Sequence, residues 1–182
     1  MNWEFEWLYA LQKIHNPVLD PIMVGLSALG NAGILWIIIS VICLIKKETR
    51  RCGVQMIISM LVVLVIGNGI LKNLVCRQRP CWIDSTVTLL VKNPSDYSFP
   101  SGHSMNSFTA AVTIWFYHKR AGAAAIAVAT LIAFSRLYNF VHFPTDVFAG
   151  IAIGSIVAII VNYIMKLHKT KNGLRETVSS FV

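Results

Sequence analysis

The sequence predicts an all-α fold, a polytopic bundle of about six membrane helices. Hydrophobic residues make up 55% of the 182 residues, and charged residues only 13%. The mean hydropathy is +0.63, far from the balance of a soluble domain. Because one bilayer crossing takes about 20 apolar residues, the chain has room for one bundle with short loops. We therefore expect a single domain over residues 1–182.

Apolar runs recur along the chain, and each is closed by charge, proline or glycine. This is the hydropathy pattern of membrane-spanning helices. The runs that predict firm spans cover residues 23–45, 54–71, 104–117, 121–140 and 147–165.

The first residues form a different kind of segment. Residues 3–14 alternate apolar and charged side chains and include Trp3, Trp7 and Tyr9. That pattern suits a helix lying at the membrane interface better than one crossing it. A sixth crossing before Gly33 stays an alternative. The pattern of a secretory signal peptide is missing, so we expect the chain to stay whole and embedded.

The net charge of +8 comes from basic residues that cluster in two linkers between helices and in the tail. If the spans alternate in direction, these cations share one side of the membrane, which the positive-inside rule makes cytoplasmic. They are Lys46, Lys47, Arg50, Arg51, Lys119, Arg120, Lys166, Lys169, Lys171 and Arg175. We expect a plasma-membrane protein that binds no nucleic acid, with the motifs described next facing the extracytoplasmic side.

The first motif joins Lys72 to Arg79 and Pro80. The spacing is close to two turns of about 3.6 residues each, so both cations are expected on one helix face, where they can converge on an anion. Pro80 ends the helix there and leaves the guanidinium at the membrane surface. The alternative is a pair of cations that only snorkel to the interface. We assign Arg77, which lies outside the motif, to that second class.

The second motif is Pro100, Ser101, Gly102 and His103. We expect it to open a helix whose free backbone N–H groups and positive dipole end face phosphate oxygens. Glycine lets such a ligand approach closely. The alternative is a turn that only leads into a helix cap. His103 favours a functional site, because an imidazole there can donate a proton to a bound oxygen.

The third motif combines Ser135 and Arg136 with His142 and Asp146. Pro144 suits the opening position of the last helix, which puts Asp146 in its first turn. A carboxylate on one imidazole nitrogen fixes the tautomer and leaves the other nitrogen as a nucleophile. The alternative is a His–Asp hydrogen bond that only packs two helices. Ionisable groups at membrane depth more often serve a function.

In order and spacing the three motifs resemble those of the type 2 phosphatidic acid phosphatase superfamily, which includes vanadium haloperoxidases and glucose 6-phosphatase. The resemblance is close over residues 71–150 and rests on hydropathy alone in the N-terminal third. The chain departs from the common pattern at Asn139-Phe140 and directly after His103. We expect those positions to reshape the pocket without changing the chemistry.

The resemblance implies a core of about six helices and no metal or other cofactor. It implies that His142 attacks phosphorus to give a phosphohistidine, that Asp146 orients this ring, and that His103 protonates the leaving oxygen and later activates water. The implied phosphate-binding residues are Lys72, Arg79, Ser101, Gly102 and Arg136. Ser135 belongs to the motif without an assigned step.

The charges support these roles without reference to the family. Phosphoryl transfer spreads negative charge over three equatorial oxygens, which many enzymes neutralise with a metal ion. Of the eight acidic residues, Asp146 is the only one inside a motif, whereas the motifs supply three cations. Fixed cations and backbone amides are therefore expected to replace the metal.

A site at the membrane surface suits a substrate whose phosphate stays at the headgroup level while its tail remains in lipid. We expect a lipid phosphatase acting on undecaprenyl diphosphate, with phosphatidylglycerophosphate and phosphatidic acid as alternatives. A lipid-binding or lipid-translocating protein without turnover is a competing hypothesis, and a haloperoxidase is a weaker one. The segment 81–99 is expected to cap the entrance. A disulfide between Cys76 and Cys81 and the oligomeric state are left open.

Overall fold

The computed structural model describes the backbone of residues 3–179, and the side-chain environment of residues 3–168 and 170. The side chains of Lys169, Lys171 and Arg175 in the predicted basic tail lie outside this description. The described residues contain helices and no strand, which confirms the all-α class. The helices are α1 (Trp3–Gln12), α2 (Leu19–Leu29), α3 (Ile34–Ile45), α4 (Arg50–Val63), α5 (Lys72–Val75), α6 (Pro80–Ile83), α7 (Gly102–Tyr117), α8 (Lys119–Tyr138) and α9 (Pro144–Ser179).

Within the described residues, three helical stretches are long and apolar enough to cross a membrane: Arg50–Ile83, Lys119–Tyr138 and Pro144–His168. A fourth crossing is formed if α2 and the stretch Asn31–Ile45, bent by 49°, count as one broken span. Helix α7 has 16 residues, and at about 1.5 Å per residue it is shorter than the hydrocarbon core. The expected number of five firm spans is therefore not confirmed. Helix α1, with ten residues, is also too short to cross.

Helix α7 lies at the centre of the bundle and packs against α4, α8 and α9. Glycines make the contact with α9 close. A Cβ atom at Gly154 would lie 2.3 Å from the carbonyl oxygen of Met105, and one at Gly150 would lie 2.6 Å from that of Ser101. The small residues of the last span therefore serve helix packing within the bundle.

A polar cluster ties the helices together at one end of the bundle. The Gln55 amide oxygen accepts hydrogen bonds from the Tyr117 hydroxyl (2.9 Å) and the Asn162 amide (3.0 Å), which joins α4, α7 and α9. Lys119 and Lys166 lie against aromatic rings at the same end of α7. The three motifs lie at the other ends of these helices, so the basic end and the motif end are opposite each other.

A short 3₁₀ turn, Asn31–Gly33, interrupts the helical path between α2 and α3. Ala32 (φ 50°) and Gly33 (φ 69°) both adopt left-handed backbone conformations. This conformation is strained for alanine and typical of functional sites. The break sets Asn31 at the motif end of the bundle, where it meets His103.

Candidate active site

A cavity of about 690 Å³ opens at the motif end of the bundle and receives residues from all three motifs. The motif residues that line it are Lys72, Arg79, Gly102, His103, Arg136 and His142. Ser101 and Asp146 are fully buried behind this lining. Motifs that are distant in the sequence thus line one cavity, and the imidazoles of His103 and His142 both face it.

His142 lies in the bend between α8 and α9, with 1% of its surface exposed. Its Nδ1 atom is 3.6 Å from the Asp146 carboxylate, and its Nε2 atom is 3.0 Å from a guanidinium nitrogen of Arg79. One ring nitrogen therefore faces the acid and the other faces a cation. Burial, followed by the charges of Arg79 and Arg136, holds the pKa of His142 well below its usual range.

Asp146, in the first turn of α9, is held through both carboxylate oxygens. Its Oδ2 atom accepts hydrogen bonds from the Ser98 hydroxyl (2.5 Å) and the Phe143 backbone N–H (2.8 Å). Its Oδ1 atom accepts from the Arg77 guanidinium at 2.7 Å. The Ser98 oxygen also lies 3.4 Å from His142 Nδ1. Sequence reasoning did not identify Ser98, which belongs to no motif.

The assignment of Arg77 as a snorkelling cation is wrong. Its guanidinium forms ion pairs with Asp146 (2.7 Å) and with Glu4 of α1 (2.6 Å), and it stacks on the ring of Phe143. The error came from extending a helix as far as Arg79. Helix α5 ends at Val75, and the segment that follows is extended, so Arg77 turns towards the acid.

The expected helix face shared by Lys72 and Arg79 is not present either. Lys72 follows a π-helical segment, Leu64–Leu71, whereas Arg79 has an extended backbone (φ −81°, ψ 153°) in front of Pro80. Both side chains are nevertheless almost fully buried and line the same cavity. A turn of the chain at Cys76 (φ 50°), and not helical periodicity, brings them together.

Residues 90–96, in the segment between α6 and α7, line one side of the cavity. They belong to the segment 81–99, which we expected to cap the entrance. Trp82 anchors it by donating to the Asn93 side chain and the Pro94 carbonyl, both at 3.1 Å. Asp96 of this segment forms ion pairs with Lys72 and with Arg79. Sequence reasoning missed Asp96, which lies in a stretch without periodicity.

Arg136, near the end of α8, is 5% exposed. One terminal nitrogen donates to the hydroxyl of Ser27 in α2. Its Nε atom is buried and has no hydrogen-bond partner among the described residues. The residue lines the cavity, where a buried cation can bind an anion.

Helix α7 begins at the second motif. The Ser101 hydroxyl accepts hydrogen bonds from the backbone N–H and the side chain of Ser104, so it acts as the helix cap that was the alternative interpretation. Gly102 lines the cavity. His103 Nε2 lies 3.0 Å from the Asn31 side-chain oxygen, and a Cβ atom at Gly30 would lie only 2.6 Å from the His103 ring.

The cysteines take no part in this site. All four are free thiols. The disulfide considered between Cys76 and Cys81 is not formed: Cys76 is exposed and Cys81 is buried.

The amino-acid sequence matches the PAP2 superfamily over residues 53–169, more than half of the chain. The chain belongs to the PAP2 superfamily. The family assignment made from the three motifs is thereby confirmed. As a member of this family the protein is a membrane lipid phosphatase, a hydrolase of phosphate esters.

Relatives and solved structures agree with this assignment. The chain is 36% identical to the undecaprenyl-diphosphatase of Sulfolobus acidocaldarius over 141 residues, which cover 77% of this chain and 68% of the relative. It superimposes on Aquifex aeolicus LpxE with a TM-score of 0.77 and 29% identity, covering 90% and 96% of the two chains. The PAP2-type phosphatidylglycerolphosphate phosphatase from Bacillus subtilis gives a TM-score of 0.72 at 28% identity, covering 88% and 83%.

Proposed function

We propose that this phosphatase removes the terminal phosphate of a membrane lipid through a phosphohistidine on His142, with undecaprenyl diphosphate as its principal substrate. One observation carries the proposal. Lys72, Arg79 and Arg136, each 6% exposed or less, converge with two imidazoles on a single cavity. Buried cations without enough acidic partners are costly unless an anion joins them.

In the first step His142 Nε2 attacks phosphorus. The N–P bond forms as the bond to the leaving oxygen breaks, and His103, as the imidazolium, transfers a proton to that oxygen. Burial, followed by the charges of Arg136, Arg79 and Lys72, lowers the pKa of His103 to about 3. The proton must therefore come from the incoming phosphate group, whose negative charge favours the imidazolium.

The lowered pKa of His142 keeps its ring unprotonated near neutral pH. Its Nε2 lone pair, which accepts from Arg79 in this structure, is free to attack once Arg79 donates to the phosphate oxygens instead. Asp146 orients the ring through Nδ1 and stabilises the positive charge that the ring acquires.

In the second step water cleaves the N–P bond. His103, now neutral, takes a proton from this water, and inorganic phosphate leaves. In both steps charge develops on the equatorial oxygens, which we expect Lys72, Arg79, Arg136 and the Gly102 amide to bind. The Arg136 side chain lines the cavity and adds a third cation for these oxygens.

The relatives support this choice of substrate. The undecaprenyl-diphosphatase of Sulfolobus acidocaldarius shares 36% identity with this chain, which favours a polyprenyl diphosphate. The Bacillus subtilis phosphatase, at 28% identity, makes phosphatidylglycerophosphate the second candidate. Phosphatidic acid has the same phosphomonoester chemistry and is the third.

We also propose that the protein lies in the plasma membrane with its site on the extracytoplasmic side. The basic residues of the linkers lie at the end of the bundle opposite the cavity, so the positive-inside rule places the cavity outside. Residues 1–182 would then act as one domain.

A phosphate-release assay on purified protein in detergent tests the mechanism. We expect hydrolysis of undecaprenyl diphosphate in the presence of EDTA, and its loss in His142→Ala. The matched control is His168→Ala, because His168 is exposed on α9 far from the cavity. Full activity in His142→Ala, or turnover that needs a divalent metal, would overturn the mechanism. An acid-labile phosphoryl group on the wild-type protein, absent from His142→Ala, would support it directly.

A comparison of three substrates tests the specificity. We expect kcat/KM to be highest for the polyprenyl diphosphate, followed by phosphatidylglycerophosphate and phosphatidic acid. A higher value for either phospholipid would reassign the substrate and leave the mechanism intact. Lipid transfer across vesicles without phosphate release would instead favour a translocating protein.

A further inference from the structure

We propose that Arg77 is a positioning residue for Asp146, and that Glu4 holds Arg77 in place, so that helix α1 becomes part of the active site. This inference rests on the proposed function, because it acts through the roles given to Asp146 and His142. Arg77 does not line the cavity. Its effect on the reaction must therefore pass through the acid behind the nucleophile.

The contacts form a chain from α1 to the nucleophile. Glu4 pairs with Arg77 (2.6 Å), Arg77 pairs with Asp146 Oδ1 (2.7 Å), and Asp146 Oδ2 faces His142 Nδ1 (3.6 Å). The Thr145 hydroxyl is linked to the same group: it lies 2.6 Å from Arg77 and donates to Glu4 at 2.6 Å. The two oxygens of Asp146 thus have different partners. Oδ1 pairs with Arg77, and Oδ2 faces the nucleophile, His142.

Burial makes the cation necessary. The side chain of Asp146 is 0% exposed and that of Glu4 is 6% exposed. A carboxyl group so far from water favours its neutral form unless a cation and hydrogen bonds stabilise the charge. Arg77 is the only lysine or arginine of the described residues within salt-bridge distance of Asp146. It supplies the opposite charge that a buried carboxylate needs.

Helix α1 is docked firmly enough to hold Arg77. Phe5 packs edge-on against Phe143 at 5.2 Å between ring centres, and Phe143 is the ring on which Arg77 stacks. The Tyr9 hydroxyl donates to Asp84 at 2.6 Å, at the start of the segment that carries Ser98. Helix α1 therefore holds Arg77 through Glu4 and packs against the Phe143 ring beneath its guanidinium.

A double-mutant cycle separates positioning from general damage. In wild-type protein we expect Arg77→Met to lower kcat about 10²-fold, as a small misplacement of catalytic groups does, with KM little changed. In an Asp146→Asn background the same substitution should lower kcat by less than about twofold, because its target is already lost. Equal losses in both backgrounds, or a loss confined to KM, would overturn the proposal.

Further variants keep the result interpretable if Arg77→Met folds poorly. In Arg77→Ala, millimolar guanidinium chloride should restore part of kcat, whereas the same concentration of sodium chloride should not. Glu4→Gln should lower kcat less than Arg77→Met does, and Arg120→Met, an exposed arginine on α8, should leave it unchanged. No rescue of well-folded Arg77→Ala would count against the proposal.

The failure of this inference differs from the failure of the proposed function. If His142→Ala is inactive while Arg77→Met keeps full kcat, only the positioning role is wrong. If His142→Ala is active, the proposed mechanism itself is wrong.

Discussion

The Asp96 carboxylate lies 2.7 Å from the Arg79 guanidinium and also pairs with Lys72. An acidic side chain of the protein itself therefore forms ion pairs with two of the residues proposed to bind phosphate. Asp96 is 55% exposed and belongs to the segment that lines one side of the cavity. A phosphate that enters the cavity must either displace this carboxylate or bind beside it.

Removing the charge of Asp96 should therefore strengthen phosphate binding. We expect Asp96→Asn to lower the inhibition constants of inorganic phosphate and vanadate about fivefold, the effect of roughly 1 kcal/mol for one partly exposed ion pair. The measurement is competitive inhibition of lipid hydrolysis. Glu48→Gln, an exposed acid in the linker after α3, is the control. Weaker inhibition in Asp96→Asn would mean that Asp96 organises the cations and does not compete with the ligand.

The ion pairs of Asp96 should also give a defined pH dependence of stability. Burial alone would raise the pKa of Asp96, but Lys72 and Arg79 outweigh it and lower the pKa to about 2. A carboxyl group with a lowered folded-state pKa stabilises the protein above its unfolded pKa of about 3.9, and this contribution is lost as pH falls towards 2. The difference in thermal stability between wild type and Asp96→Asn should stay constant from about pH 5 to 8 and shrink below about pH 4. A difference that changes between pH 6 and 8 would contradict this assignment.

The sequence predicted the cavity lining better than the groups behind it. Lys72, His103, Arg136 and His142 belong to motifs whose residue types and spacing specify phosphate chemistry. Arg77, by contrast, reaches its partners Asp146 and Glu4 over 69 and 73 positions. No local sequence pattern predicts a contact over such a separation. Only the folded structure shows it.

Hydropathy predicted the helices but not how far each one extends. The run 104–117 forms α7, yet its apolar and small residues face other helices, because most of its side chains are buried within the protein. A window of apolar residues does not distinguish lipid contact from helix contact. Gly30 and Gly33 flank the break at Ala32, and glycine is the residue type that indicates such a break. The π-helical segment Leu64–Leu71, by contrast, was not predicted.

Asn31 should matter for the reaction although it belongs to no motif. Its side-chain oxygen lies 3.0 Å from His103 Nε2 and restrains the ring that is proposed to deliver the proton. We expect Asn31→Ala to lower kcat by about tenfold, with a smaller change in KM. This is less than the roughly 10²–10⁴-fold that general acid–base catalysis contributes, because His103 itself remains. Asn73→Ala is the control, because Asn73 is exposed and bonds only backbone carbonyls of its own helical stretch. An unchanged kcat in Asn31→Ala would show that His103 needs no such restraint.

The contact between α7 and α9 should tolerate no added methyl group at Gly154. A Cβ atom there would lie 2.3 Å from the Met105 carbonyl oxygen and 2.9 Å from the Thr109 hydroxyl, and a backbone atom cannot move aside as a flexible side chain can. We expect Gly154→Ala to destabilise the protein by about 1–3 kcal/mol, the usual effect of overpacking a core. Thermal unfolding in detergent measures it. Gly25→Ala is the matched control, because no atom lies within 4 Å of its added Cβ and alanine is the better helix former. Equal stability of Gly154→Ala and wild type would show that the two helices can separate without cost, and the close packing inferred for this pair would then be wrong.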